Sequence, residues 1–227
     1  MTAVDLARRL PDIATVRALS QSFAVLDAIL SPEGYATYAF TSRWGEGEEL
    51  ASMNNGSGDE YSIVFTPAGA FIRGFDHESP MSPFGDDDFG TWPGLIESVP
   101  QEFAAQVAEP AFCQYDLTGG LFLAATVCMW RLNGDPAWHT GDIDFPPAPR
   151  TDDPDGSTWM FDLLADGTPK AYRAYAADYF EVDVDPANVQ HVFEHRPLTT
   201  DLVRRINSDT DLAALTETLE TIGYPHA

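Results

Sequence analysis

The sequence is short of positive charge. Of 227 residues, 12 are Lys or Arg against 36 Asp or Glu, a formal net charge of −24, and Lys170 is the only lysine. A surface this acidic repels phosphate backbones and anionic lipid headgroups, so neither nucleic acid nor a membrane surface is an expected partner. Cysteine is scarce too. Cys113 and Cys128 form neither a disulfide framework nor a CxxC pair, and their apolar neighbours predict two buried free thiols. Long apolar runs are missing: the longest, Leu121 to Trp130, falls short of the roughly 18 residues of a membrane span. The leading segment MTAVDLARRLPD lacks the apolar core of a secretory signal. These absences predict a soluble, acidic, cytoplasmic protein of bacterial type. Several catalytic templates are also absent, since no G-x-S-x-G elbow, no G-x-x-x-x-G-K-[ST] loop and no G-x-G-x-x-G after a strand occurs.

What is present is enough apolar material for a core, at 44% hydrophobic and 12% aromatic residues. The length fits one domain, with the Pro- and Asp-rich loop 141–156 as the place for any internal boundary. From Asp12 to Leu30 the positions Ile13, Val16, Leu19, Phe23, Leu26 and Leu30 recur at three and four residue steps, which predicts an amphipathic helix capped by Asp12 and stopped at Pro32. Glu60 to Thr66 and Ala70 to Phe75, joined by Pro67-Ala68-Gly69, read as a hairpin. Trp159 to Leu164 and Lys170 to Tyr175, joined by Ala165-Asp166-Gly167, read as a second one. Pro100 to Ala108 reads as a short helix and Gly120 to Leu132 as one buried strand. Asp185 with Pro186 opens a helix, Thr200 a second, and Asp209 or Asp211 a third that stops at Gly223. Hairpins between terminal helices, without βαβ alternation, predict an α+β fold in which an N-terminal amphipathic helix and C-terminal helices pack on an antiparallel sheet.

The charge is uneven. Residues 1–75 carry −4, residues 76–156 carry −13 and residues 157–227 carry −7. An acidic middle segment predicts a face for a basic protein partner, because complementary fields accelerate encounter. The expected partner-binding residues are Asp86, Asp87, Asp88, Asp152, Asp153 and Asp155, with Trp92 and Trp138, which lie in polar loops with Pro or Gly close by, as aromatic anchors. In charge and size this is analogous to immunity proteins and antitoxins that neutralise basic nuclease toxins. Such a module is not an enzyme and needs no cofactor.

The alternative expectation is a metal-dependent hydrolase using zinc. His191-Val192-Phe193-Glu194-His195 fits the H-x-x-E-H pattern and over those five residues resembles the inverzincin metallopeptidases. The resemblance implies His191 and His195 as zinc ligands, Glu194 as the group that activates water, and a third acidic ligand for which Glu217 and Glu220 remain downstream. Val189, Val192 and Phe193 define one face of such a helix, with both histidines almost opposite on a solvated face. A second possible ligand cluster is Asp76-His77-Glu78, where a strand gives way to a loop, with His139 as a possible addition. Asp152 to Gly156 departs from a calcium loop, with Thr151 at position one and Asp162 at position twelve.

Overall fold

A computed structural model describes residues 1–32, 34, 36–85, 89–146 and 152–227. The chain opens with α1 (Ala3–Arg9) and α2 (Ile13–Leu30), followed by β1 (Tyr38–Gly45), β2 (Glu48–Asn54), β3 (Glu60–Thr66) and β4 (Gly69–Phe75). A 3-10 turn at Gln101–Phe103 leads into α3 (Ala104–Val107), then β5 (Cys113–Tyr115), β6 (Leu121–Leu123), β7 (Val127–Leu132) and β8 (His139–Thr140). The remainder is helical: α4 (Ser157–Met160), α5 (Asp162–Asp166), α6 (Pro169–Tyr179), α7 (Pro186–Phe193), α8 (Thr200–Ile206) and, after a 3-10 turn at Leu212–Leu215, α9 (Thr216–Ile222). Strand pairs β1–β2, β3–β4, β4–β7, β5–β6 and β7–β8 are antiparallel. The class is α+β, with helices at both ends of the chain.

The residues form two compact units: Met1–Ile13 with Asn54–Asp162, and Ala14–Met53 with Leu163–Ala227. In the first unit β3, β4, β7 and β8 pair in succession, with Glu60 opposite Phe75 and Gly69 opposite Leu132. Helix α1 packs against β7, β8 and α4. Strands β3 and β4 are buried on both faces, and Ile63, Phe71, Ile72, Met81 and Leu95 are wholly inaccessible. Tyr61 stacks on Phe161 at 4.6 Å. Both cysteines are free and buried.

The second unit is organised on α2. Its predicted apolar face is buried from Val16 to Leu26 and half-buried at Ile13 and Leu30, but Ser20, Gln21, Ser22 and Asp27 are buried too, so the middle of the helix is a core element. The polar groups are satisfied internally: Ser20 and Ser22 hydroxyls donate to the carbonyls of Val16 and Ala18, and Gln21 donates to that of Ile222. By length and mean hydropathy of 1.4 this helix would suffice for a membrane span, yet 61% of it is buried within the protein.

The second predicted hairpin is not formed; Ser157 to Tyr179 is helical. Gly167, at φ +63, ends α5 in the left-handed conformation, and its N–H bonds the Leu163 carbonyl. Thr168 then caps α6, accepting from the Ala171 amide, with Pro169 in the first turn. An Asp-Gly pair serves a helix C-terminus as readily as a hairpin turn, because both require positive φ at glycine. The predicted strand over Gly120 to Leu132 is two strands, β6 and β7, interrupted at Ala124 to Thr126. The caps at Asp185 and Asp211 and the stop at Gly223, φ +74, are as expected; the cap of α8 is Thr199, one residue before Thr200.

Candidate interaction surface

Asp86, Asp87 and Asp88 lie outside the described residues. The other expected partner-binding residues are scattered. Asp152 is exposed. Asp153 is half-buried and accepts from the amides of Thr158 and Trp159 at the start of α4. Two expectations are corrected here. Asp155 is wholly buried: its carboxylate accepts from the amides of Ala3 at 2.7 Å and Ser157 at 3.0 Å, and burial pushes it up to about 6. Trp138 is 4% exposed and its indole donates to the Pro11 carbonyl at 2.6 Å. Both are fasteners of the amino-terminal segment, since α1 begins on the Asp155 carboxylate and Pro11, just beyond it, is held by Trp138. Trp92 is half-buried, donates to the Asp144 carbonyl, and with Pro80, Pro83 and Pro93 lines a cleft of about 420 Å³.

The His191 to His195 segment does not keep both histidines on one helix. Helix α7 ends at Phe193, Glu194 is its cap, and His195 has φ +52. Each ring nitrogen Nε2 meets a carbonyl and so must carry the proton: His191 donates to Pro197 and His195 to Ala18, both at 3.0 Å. Glu194 is held by Gln190 at 2.9 Å and faces Arg196. The half-buried His195 therefore works as an interior hydrogen-bond donor, where a solvated position was predicted.

Asp76 and His77 do come together, and Asp59 completes the group in place of Glu78. The register Glu60 opposite Phe75 puts Asp59 and Asp76 at the same end of the β3–β4 ladder. Potential ligand atoms of Asp59, Asp76 and His77 lie within 4.8 Å of one another. They are already committed. Asp59 Oδ1 accepts from the His77 amide at 2.9 Å and from His77 Nδ1 at 2.6 Å, and Oδ2 accepts from Asn55. Asp76 accepts from the Glu78 amide and from the Trp159 indole. The residue types suit a metal, and with Nδ1 held by Asp59 the ring nitrogen His77 Nε2 is the one left to offer. His139 stands apart from the group and faces Asp135 at 3.2 Å.

The hydrogen bond to Asp59 raises the His77 pKa above its ordinary value. Burial works against Asp59, but the His77 amide and imidazole and the Asn55 amide hold its carboxylate below the usual range. A raised base stabilises the fold below its unfolded pKa and loses that contribution as pH rises through the folded value. A lowered acid does the reverse on the acid side, so the pair contributes most between about pH 4 and 6.5. Asp59→Asn is expected to bring the His77 pKa back toward its ordinary value in an NMR titration of the imidazole carbon-bound protons. An unmoved titration would show that Asp59 does not set it.

A group of exposed apolar side chains in the first unit stands elsewhere. Tyr115, Leu117 and Leu121 are 72%, 79% and 47% exposed, on and between β5 and β6. Leu121 falls within the buried strand expected over Gly120 to Leu132 and is exposed instead, while Tyr115 and Leu117 precede that strand. The signal was present: Asp116 before Gly119-Gly120, between two apolar trios, is turn chemistry. The surrounding charge is one-sided. Between residues 74 and 130 there are nine Asp or Glu and no Lys or Arg, while the preceding cation, Arg73, is buried and bonded to Glu60 at 2.6 Å and to the Ala124 carbonyl.

Searches against protein-family models, curated proteins and solved structures give no match to this chain.

Proposed function

We propose that the chain is a non-enzymatic protein-binding module that engages a basic protein partner through the acidic surface of its first unit, in the manner of an immunity protein or antitoxin. The observation that carries this reading is the imbalance within that unit, which has 20 Asp or Glu against five Arg. Three of these arginines do little to relieve the imbalance at the surface. Arg73 is buried on Glu60, Arg8 faces its neighbour Asp5, and Arg131 donates to the Asp135 carbonyl. A field of that sign steers cationic partners and excludes nucleic acid and anionic membranes, and the interaction weakens as salt screens it. The reading keeps the protein in the cytoplasm, free of cofactor.

Octa-arginine titrated onto the full chain gives a defined test. Binding is expected at 50 mM NaCl and at least about tenfold weaker at 300 mM. Replacing the exposed acids Glu78, Glu102 and Asp152 with their amides is expected to weaken it further, and a DNA duplex is expected not to bind. Absence of octa-arginine binding, or affinity indifferent to salt, would sink the proposal.

A further inference from the structure

In the β5–β6 hairpin Cys113 pairs with Leu123 and Tyr115 with Leu121. Positions two apart along a strand point the same way, so these four side chains share one face. At its base that face is core, with Cys113 7% and Leu123 1% exposed. Two residues further out the same face stands in solvent, at Tyr115 and Leu121, and the exposed Leu117 lies in the turn between them. The opposite face is served differently: Phe122 is half-buried, its ring 5.9 Å from that of Phe84.

The bare side chains are carried on a fixed turn. Asp116 Oδ1 accepts from the Thr118 amide at 2.7 Å, the Thr118 hydroxyl at 2.8 Å and the Gly120 amide at 2.7 Å, while the Asp116 amide bonds the Gly120 carbonyl. Those donors lower the Asp116 pKa, so the carboxylate stays ionised to low pH. Three adjacent large apolar groups on a preorganised turn lose little conformational freedom when covered, which is the economy of a binding anchor.

We propose that the face bearing Tyr115, Leu117 and Leu121 is the apolar anchor at which a basic protein docks, through a contact surface where apolar side chains sit among arginines or lysines. This rests on the acidic-module reading above. Charge selects the occupant. A second copy would bring the same carboxylates, Asp116 foremost, against themselves, whereas cationic side chains beside an apolar patch complement both features of the hairpin.

Two fluorescent peptides test it on the full chain, octa-arginine and a peptide with the same eight arginines flanking Leu-Phe-Leu. The apolar-centred peptide is expected to bind about tenfold more tightly and to keep that margin at 300 mM NaCl. Tyr115→Ser with Leu117→Ser, at sites whose side chains bury little, is expected to cut the margin below about twofold while octa-arginine binding and the melting temperature stay as in the parent. Salt-sensitive octa-arginine binding without a margin, or a margin the double variant retains, overturns the anchor and leaves the charge reading standing. Failure of both peptides to bind overturns both.

Discussion

Asp27→Ala is expected to destabilise the protein by about 3 kcal/mol or more, whereas Asp27→Asn is expected to leave it as stable as the parent at pH 4.5 and more stable at pH 7. Asp27 lies on α2 with no solvent exposure. Its Oδ2 accepts from the amides of Thr37 at 2.9 Å and Tyr38 at 3.0 Å, and Oδ1 accepts from the Tyr172 hydroxyl at 2.6 Å. The Tyr175 hydroxyl adds a longer contact at 3.4 Å. Alanine leaves the two amides and the Tyr172 hydroxyl buried without an acceptor, at about 1 to 3 kcal/mol each before any relaxation. Asparagine keeps the geometry: its oxygen takes both amides, and its NH₂ donates to Tyr172 once that hydroxyl turns.

The pH dependence follows from burial, which pushes Asp27 up to about 6 although the hydrogen bonds pull it down. Between the ordinary carboxylate value and 6, the folded state holds a proton that the unfolded chain has released. Stability therefore falls as pH rises through that window, by roughly 3 kcal/mol for a two-unit shift, and the cost persists at neutral pH. Asp155, also at about 6, works in the same direction. Urea unfolding of the parent and both variants at pH 4.5 and pH 7 checks this. If Asp27→Asn were as damaging as Asp27→Ala, the ionised carboxylate itself would be holding the site together.

The parts of the fold that were legible in the sequence are those whose chemistry is local. The period of α2, the Pro67-Ala68-Gly69 turn, the cap and first-turn proline at Asp185-Pro186 and the stop at Gly223 each need only a few neighbouring residues. Where one residue pair serves two structures, as Asp166-Gly167 does, local reading chose wrongly. Strand β2 was hidden in a Glu-rich stretch because its partner β1 supplies the reason for it to be extended. The same division runs through the candidate site. A tryptophan between Ala137 and His139 gives no sign that Pro11 will accept its indole proton, and Asp155 reads as one more loop acid until Ala3 is placed on it. Asp59 joined Asp76 and His77 only through strand register, across 17 residues of chain.

The second large effect is expected at Gly141. Here two backbone segments cross with no room for a side chain on either: a methyl carbon added at Gly141 would lie 1.8 Å from the Gly94 carbonyl oxygen, and one added at Gly94 would lie 2.2 Å from that of Asp142. Gly94 also has φ +83, a conformation that favours glycine. The crossing fixes Trp92, whose indole reaches the Asp144 carbonyl at 3.1 Å, and it seats the wholly buried Leu95. Because both obstacles are main-chain atoms, Gly141→Ala must drive the segments apart, which exceeds ordinary overpacking at about 3 kcal/mol or more. Gly134 is the comparison: its φ of +94 is of the kind seen at Gly94 and not at Gly141, but an added methyl there meets nothing within 4 Å, so Gly134→Ala is expected to lose only about 1 to 2 kcal/mol of backbone preference. At roughly 2 to 4 °C per kcal/mol for a chain of this size, thermal denaturation should separate the two variants clearly. Equal losses would mean that the close crossing at Gly141 costs no more than a left-handed backbone preference does at Gly134.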